Sequence, residues 1–411
     1  MTRQPEVEMS IRIRPLQEGE LRTWSRTIET AFGEESRDEA FAAFERIAEP
    51  DRILAAVDGD AIVGGGGAFT YRLTVPGGEV AAAGVTAVGI LPTHRRQGAL
   101  TQLMRAQLDD VARRGEPVAI LWASEGSIYQ RFGYGLATLE ARLEVPRANS
   151  AFRLPAAPEG TSRLVSRETA AEAFPPIYES LRGATPGFFD RSSDWWDVEV
   201  LDDPEYHRRG AGPKRFVLYE ADGRPEGYLI FRIAGDWEKR ALEVRESMAT
   251  SSRAIRELWR FCFGHDLITT IRAGRQPADH PLLLLLAEPR HVGLHVGDAL
   301  WLRILDVAGA LSTRSYAKAD RLVMELSDTF RPQTAGRWTL DATGDQVRVE
   351  RTDDPADIAL DITDLACLYL GAFSAGDLAR AGRTTELTEG AHRRMDDLFR
   401  TDQRPWCPQV F

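Results

Sequence analysis

Arg95-Arg96-Gln97-Gly98 ends a small, apolar stretch, Ala81 to Ile90, and opens a helix, an arrangement suited to holding an anion. The first N–H groups of a helix lack internal partners and lie at the positive end of its dipole. Gly98 removes a side chain where backbone must approach a phosphate, and Arg95 and Arg96 add charge. A pyrophosphate is a natural guest. Neither GxGxxG nor GxxxxGK[ST] occurs in the chain, so the Rossmann and P-loop readings lack their motif. A second chemical candidate is Tyr129, in the run Ser124 to Gly135, although core tyrosines are common. A third is the chain's last stretch, Trp406-Cys407-Pro408-Gln409-Val410-Phe411, aromatic and apolar where tails tend to be polar and loose.

The elements that position these groups follow from periodicity. Ile11, Ile13 and Pro15 begin a short strand, and helices are expected over 18–32 and 38–47. Strands follow at 54–57, 61–63 and 69–75, the first two flanking the turn Asp58-Gly59-Asp60. After Gly98, Leu100, Leu103, Met104, Leu108 and Val111 form one helical stripe, and Val118 to Trp122 reads as a buried strand. The order is strand, basic glycine-containing turn, amphipathic helix, strand.

In that order, Arg95 to Ala99 resembles the [RQ]xxGx[GA] pyrophosphate loop of GNAT acetyltransferases, with Leu100 in place of the final Gly or Ala. The longer strings from Val85 to Gly98 and from Ser124 to Gly135 resemble the Eis (enhanced intracellular survival) family, whose members also carry Leu there. The resemblance implies acetyl-CoA as cosubstrate, with Val88, Gly89 and Ile90 along the pantetheine arm. It implies that Arg95, Arg96, Gln97, Gly98, Ala99 and Leu100 hold the pyrophosphate and that Ser124 lines the channel. Tyr129 would protonate the departing thiolate, and Phe411, through its α-carboxylate, would take the proton from the amine. Action through water, or only the orientation of a neutral amine, are alternatives for that group. A packed terminus without chemistry is the alternative. Phe32, Glu34 and Trp196 are the expected substrate-pocket residues, although solvated glutamates and ordinary tryptophan packing would account for the last two.

The fold class that follows is α/β (α+β), with two tandem GNAT folds and a third domain. Residues 1–150 form the acetyl-CoA-binding domain. Residues 151–300 repeat its order, but the turn Ala249 to Ile255 has no glycine and one basic residue, as in a GNAT fold that has lost its cofactor loop. The apolar run 281–287 reads as a buried element. Residues 301–411 alternate strands with helices and resemble a sterol carrier protein domain.

Composition narrows the function. Three widely spaced cysteines without a CxxC pair argue against a disulfide framework or zinc site, and no metal is expected. A formal net charge of -11 argues against nucleic acid and favours cationic substrates. No apolar run is long enough to span a bilayer, and the first ten residues lack a signal-peptide pattern, so no membrane partner and a cytoplasmic location are expected. The resemblance implies N-acetylation of aminoglycoside-like, polyamine or lysine amino groups by a homo-hexamer. The competing reading is a lipid or sterol carrier with a vestigial acetyltransferase domain.

Overall fold

The computed structural model describes residues 11–411, so the first ten residues, read above as a short tail, lie outside it. Two seven-stranded sheets and one five-stranded sheet organise the chain. In the first sheet the strands run in the order Ile11–Pro15, Leu54–Asp58, Ala61–Val75, Gly78–Ile90, Val118–Trp122, Leu300–Ile304, Gly135–Leu136. Helices Leu21–Phe32 and Ala99–Arg113 pack on it through Trp24 and Ile28 and through Leu103, Met104 and Leu108.

The two expected strands at 61–63 and 69–75 are one fifteen-residue strand, Ala61–Val75, running through four glycines. Turn chemistry is the usual reason for such a run, but here close packing is. A Cβ on Gly65 would come within 2.2 Å of the Trp24 indole nitrogen, and one on Gly64 within 2.4 Å of the Gly89 carbonyl oxygen. The glycines let the helix and the next strand approach the sheet.

The sheets exchange strands across the sequence divisions at 150 and 300. Leu139–Pro146 runs in the second sheet, between Gly293–Asp298 and Thr270–Pro277. Leu300–Ile304 runs in the first, antiparallel to both Val118–Trp122 and Gly135–Leu136. All five residues of that strand are buried, as expected of a strand covered on both faces. Parallel pairing of Ala241–Ala249 with Thr270–Pro277, bridged by helix Ser252–Phe263, repeats the first sheet's central motif.

The C-terminal sheet places Arg321–Ser327 at its centre, between Gly336–Asp341 and Ile358–Asp361. Asp361 caps helix Ile362–Tyr369 in a reciprocal box with Asp364. All eight residues of this helix are buried. The run 281–287, expected to be a buried element, is a short helix Leu282–Leu285 with Leu282 buried and Leu284 79% exposed, so it lies at the surface with one side inward. Among the described residues no helix is long and apolar enough to cross a membrane.

Candidate active site

The site begins where two strands separate. Gly78–Ile90 pairs in parallel with Val118–Trp122 only at Ala82/Val118, Ala83/Ala119 and Gly84/Ile120. Beyond Gly84 the edge facing Val118–Trp122 has no strand partner, and its backbone groups are available to an amide-bearing ligand. On the other side the register with Ala61–Val75 shifts between Gly65/Gly89 and Gly67/Thr86, a bulge at Ala87 and Val88. Ala87 has φ +52°, unusual for a residue with a side chain. The bulge bends the strand away from its parallel neighbour and keeps the split open.

The split widens into a cleft of about 570 Å³ lined by Val88, Gly89, Ile90, Arg95, Arg96, Gly98, Ala99, Leu100 and Ser124, together with Phe32 and Arg131. Gln97 lies in the same turn, exposed, but is not in the lining. Arg96 at φ +63° and Gly98 at φ +80° turn the chain into helix Ala99–Arg113. No side chain caps that helix, and its first regular bond runs from Gln102 N–H to the Gly98 carbonyl at 3.1 Å. The amides ahead of it are open to an anion.

The two arginines of the turn divide the work. Arg95 folds back, donating from Nε to the Ile90 carbonyl at 3.1 Å and from Nη2 to the Ala31 carbonyl at 3.0 Å. It fixes the turn against the end of helix Leu21–Phe32. Arg96 is exposed and has no protein partner among the described residues, so its charge is available to a phosphate. Arg131, which the sequence reading missed, adds a third arginine to the lining. It stands two residues past Tyr129, and nothing in a lone surface arginine marked it out. Arg96→Ala is expected to raise the KM for acetyl-CoA about tenfold and Arg131→Ala by less, with kcat little changed, as exposed charge-assisted hydrogen bonds are lost. Initial rates at varied acetyl-CoA check this.

Tyr129 ends the short helix Gly126–Tyr129 and is 6% exposed. Burial raises its hydroxyl pKa, the Ser124 side chain opposes this by hydrogen bonding, and the Glu125 charge adds slightly to the rise. The phenol therefore stays protonated at neutral pH, as a proton donor must. Its ring meets the edge of Tyr134, whose centroid is 5.9 Å away. Tyr134 is fully buried, and its hydroxyl has no partner among the described residues.

Under this loop lies a buried ion pair. Arg303 Nη2 donates to Asp328 at 2.5 Å, and both side chains are almost wholly shielded. Gly133, at φ +85°, lies so close that a Cβ there would be 2.1 Å from Arg303 Nη1. Asp328 also accepts from the Phe330 and Arg331 amides at 3.1 and 2.9 Å and from the Thr334 hydroxyl. Phe330 packs edge-on against Phe132 at 5.0 Å, and Arg331 bonds Asp109 on helix Ala99–Arg113 at 2.5 Å. A segment of the C-terminal domain thus grips both the Tyr129 loop and helix Ala99–Arg113.

The chain's tail reaches the floor of the split. The Phe411 ring rests on Tyr71 and Phe189, each at 5.3 Å, and a Cβ on Gly84 would lie 3.2 Å from it. Gly84 is the last paired residue before the strands part, and the cleft lining begins on the same strand at Val88, without Phe411 or Tyr129. Trp195, not singled out in the sequence, packs on Phe69 and Tyr71 beside Phe411. Trp196 lies elsewhere, edge-on to Tyr178 and Tyr228 and under the Arg191 guanidinium. Glu34 is exposed in the loop after Phe32 and is not in the cleft lining. Phe32 is in the lining and 48% exposed.

A split parallel pair, an uncapped helix behind a basic turn and a buried tyrosine define a GNAT-type acetyltransferase. Comparisons with known proteins agree. The family description "Acetyltransferase (GNAT) domain" matches residues 12–137 and a second description of that name matches 187–304, while "Sterol carrier protein domain" matches 307–408. The chain is 37% identical over 410 residues to an uncharacterized N-acetyltransferase of Streptomyces avermitilis, covering 98% of this chain and all of that one. It is 36% identical over 350 residues to N-acetyltransferase Eis of Mycobacterium tuberculosis, covering 84% of each. The crystal structure of Eis1 from Mycobacterium abscessus superposes with a TM-score of 0.85 at 34% identity, over 97% of this chain and 100% of that one. The chain belongs to the Eis family of GNAT N-acetyltransferases: an enzyme with two GNAT folds, a sterol-carrier-like domain and the acetyl-CoA use that GNAT domains imply.

Proposed function

We propose that the protein transfers acetyl from acetyl-CoA to amino groups of cationic acceptors (aminoglycoside-like, polyamine or lysine) in the cleft of the first sheet. The residues of the cleft fit the cosubstrate. The Arg96 side chain and the amides opening helix Ala99–Arg113 would hold its phosphates, and the edge at Val88, Gly89 and Ile90 would hold its amide arm. Acetyl-CoA supplies the acetyl group as a thioester. Tyr129 donates its hydroxyl proton to the leaving sulfur, and the Phe411 α-carboxylate takes a proton from the attacking amine or orients it. A thiol of pKa about 8.5 needs only a weak acid beside it, so a phenol serves.

What supports this reading most is that Tyr129 belongs to the buried cluster of Ala83, Val85 and Leu121 on the two strands that part, while Phe411 lies at Gly84, their last paired residue. The net charge of -11 favours a cationic acceptor. The lipid-carrier alternative gains nothing from helix Ile362–Tyr369. It is wholly buried against the first sheet, where a Cβ on Gly135 would lie 2.0 Å from the Thr363 carbonyl oxygen. Self-association would begin at the edge strand Gly293–Asp298, which leaves Leu294 and Val296 exposed.

The test is CoA release with tobramycin, neamine, lysine peptides and polyamines as acceptors. Turnover with multiply charged amines is expected, and a folded protein that neither binds acetyl-CoA nor releases CoA would sink the reading. The pH profile carries a signed prediction. Burial raises the Tyr129 pKa and the protonated form is the active one, so the alkaline limb of kcat due to this group is expected above about pH 10. A limb at neutral pH that disappears in Tyr129→Phe would contradict the raised value.

A further inference from the structure

The second sheet repeats the parting of the first, and a residue beside it bonds the chain's own tail. Ala241–Ala249 and Thr270–Pro277 pair in parallel from Ala241/Thr270 to Val244/Ala273 and then part. Parted strands leave N–H and C=O groups that need partners. Past the parting point Arg191 holds Glu246 in a bidentate pair at 3.0 and 2.7 Å, and Tyr228 donates to the same carboxylate at 2.5 Å. Beside them stands Arg275, a non-glycine residue at φ +51°, where the register against Leu139–Pro146 shifts.

Arg275 spans the split and holds the tail. Its Nη2 donates to the Arg245 carbonyl on the facing strand at 3.4 Å, and its Nε donates to the Pro408 carbonyl at 3.1 Å. Its own carbonyl accepts the Trp406 indole N–H at 2.8 Å. The tail is therefore gripped on both sides of Cys407, which is fully buried and donates its thiol to the Gln409 carbonyl at 3.3 Å. The Trp406 amide adds a bond to the Pro186 carbonyl at 2.9 Å. Three residues past Pro408, Phe411 rests on Tyr71 and Phe189.

A left-handed backbone at a residue with a side chain persists only where its surroundings over-determine it. Here both the carbonyl and the guanidinium of Arg275 are committed to the tail. A planar fork can bond a strand and a tail at once, which a lysine ammonium on a flexible stem does poorly. We infer that Arg275, beside the split of the second GNAT fold, is the dock of the chain's own tail and the positioning residue that holds Phe411 at Gly84, where the strands of the first sheet part. The kinetic consequence rests on the proposed role of the Phe411 carboxylate, whereas the dock does not.

Two measurements on the full chain test this. In the first, amide hydrogen exchange of residues 406–411 is compared in wild type and Arg275→Ala. Exchange at least about tenfold faster in the tail, with the 88–100 region unchanged, is expected, and unchanged tail exchange overturns the dock. In the second, kcat is measured for wild type, Arg275→Ala, the Phe411 deletion and the combination. Arg275→Ala is expected to lower kcat about tenfold in the full chain and less than about twofold in the deletion, because one residue acts through the other. An equal loss in both backgrounds overturns the positioning role. If the deletion alone leaves kcat unchanged, the proposed base fails and the exchange result still decides the dock. Trp406→Phe removes the indole donor and leaves Arg275 intact, and it repeats both measurements if Arg275→Ala does not fold.

Discussion

Tyr129→Phe is expected to lower kcat about 100-fold or more, with acetyl-CoA binding within about twofold of wild type, as removal of a general acid should. The substitution keeps the ring that packs edge-on against Tyr134 and removes only the hydroxyl. The size follows from the leaving group. Expelling a thiolate without a donor beside it leaves an uncompensated charge, and in the proposed mechanism the buried Tyr129 phenol would supply the proton. Titration of acetyl-CoA by intrinsic fluorescence, beside steady-state CoA release, separates the two effects. Equal losses in binding and turnover would make Tyr129 a wall of the cleft and not its acid.

The chemistry-bearing segment was legible in the sequence because its requirements are local. A basic turn with a glycine must lie between a buried strand and an amphipathic helix, and Ala81 to Val111 shows all three within about one supersecondary unit. What was not legible is long-range. Nothing in Leu300-Trp301-Leu302-Arg303-Ile304 says that it inserts into the first sheet, since a buried strand reads the same in either sheet. The glycines at 64–67 resembled a break because sequence shows their flexibility and hides the indole and carbonyl packed against them. The adjacent tryptophans show the same limit. Trp195 is brought beside Phe69 and Tyr71 and Trp196 beside Arg191, because adjacent residues on a helix face different directions and sequence does not say which direction meets which neighbour. Arg275 and Arg303 looked like ordinary strand arginines, and their partners lie 133 and 25 residues away in the chain.

The second large effect is expected at that last pair. Asp328→Ala is expected to destabilise the fold by about 3–5 kcal/mol, because it leaves the Arg303 charge buried without its partner. Burial already lowers the Arg303 pKa, with the Asp328 charge opposing it, so losing the carboxylate removes the main group that favours the charged form. The amides of Phe330 and Arg331 lose their acceptor at the same time, which loosens the segment that packs on Phe132 and holds Asp109. Urea unfolding measures the stability loss, and CoA release measures the effect on the Tyr129 loop. A double replacement, Arg303→Met with Asp328→Leu, is expected to recover most of the stability, since a buried pair exchanged for apolar side chains of similar size is often close to neutral. Activity should recover less. Gly133 lies against the Arg303 guanidinium, and a flexible thioether in its place fills the volume without fixing the loop from Tyr129 to Tyr134 as rigidly. Stability that returns without turnover would show that the buried pair acts on loop geometry, and full recovery of both would reduce it to packing.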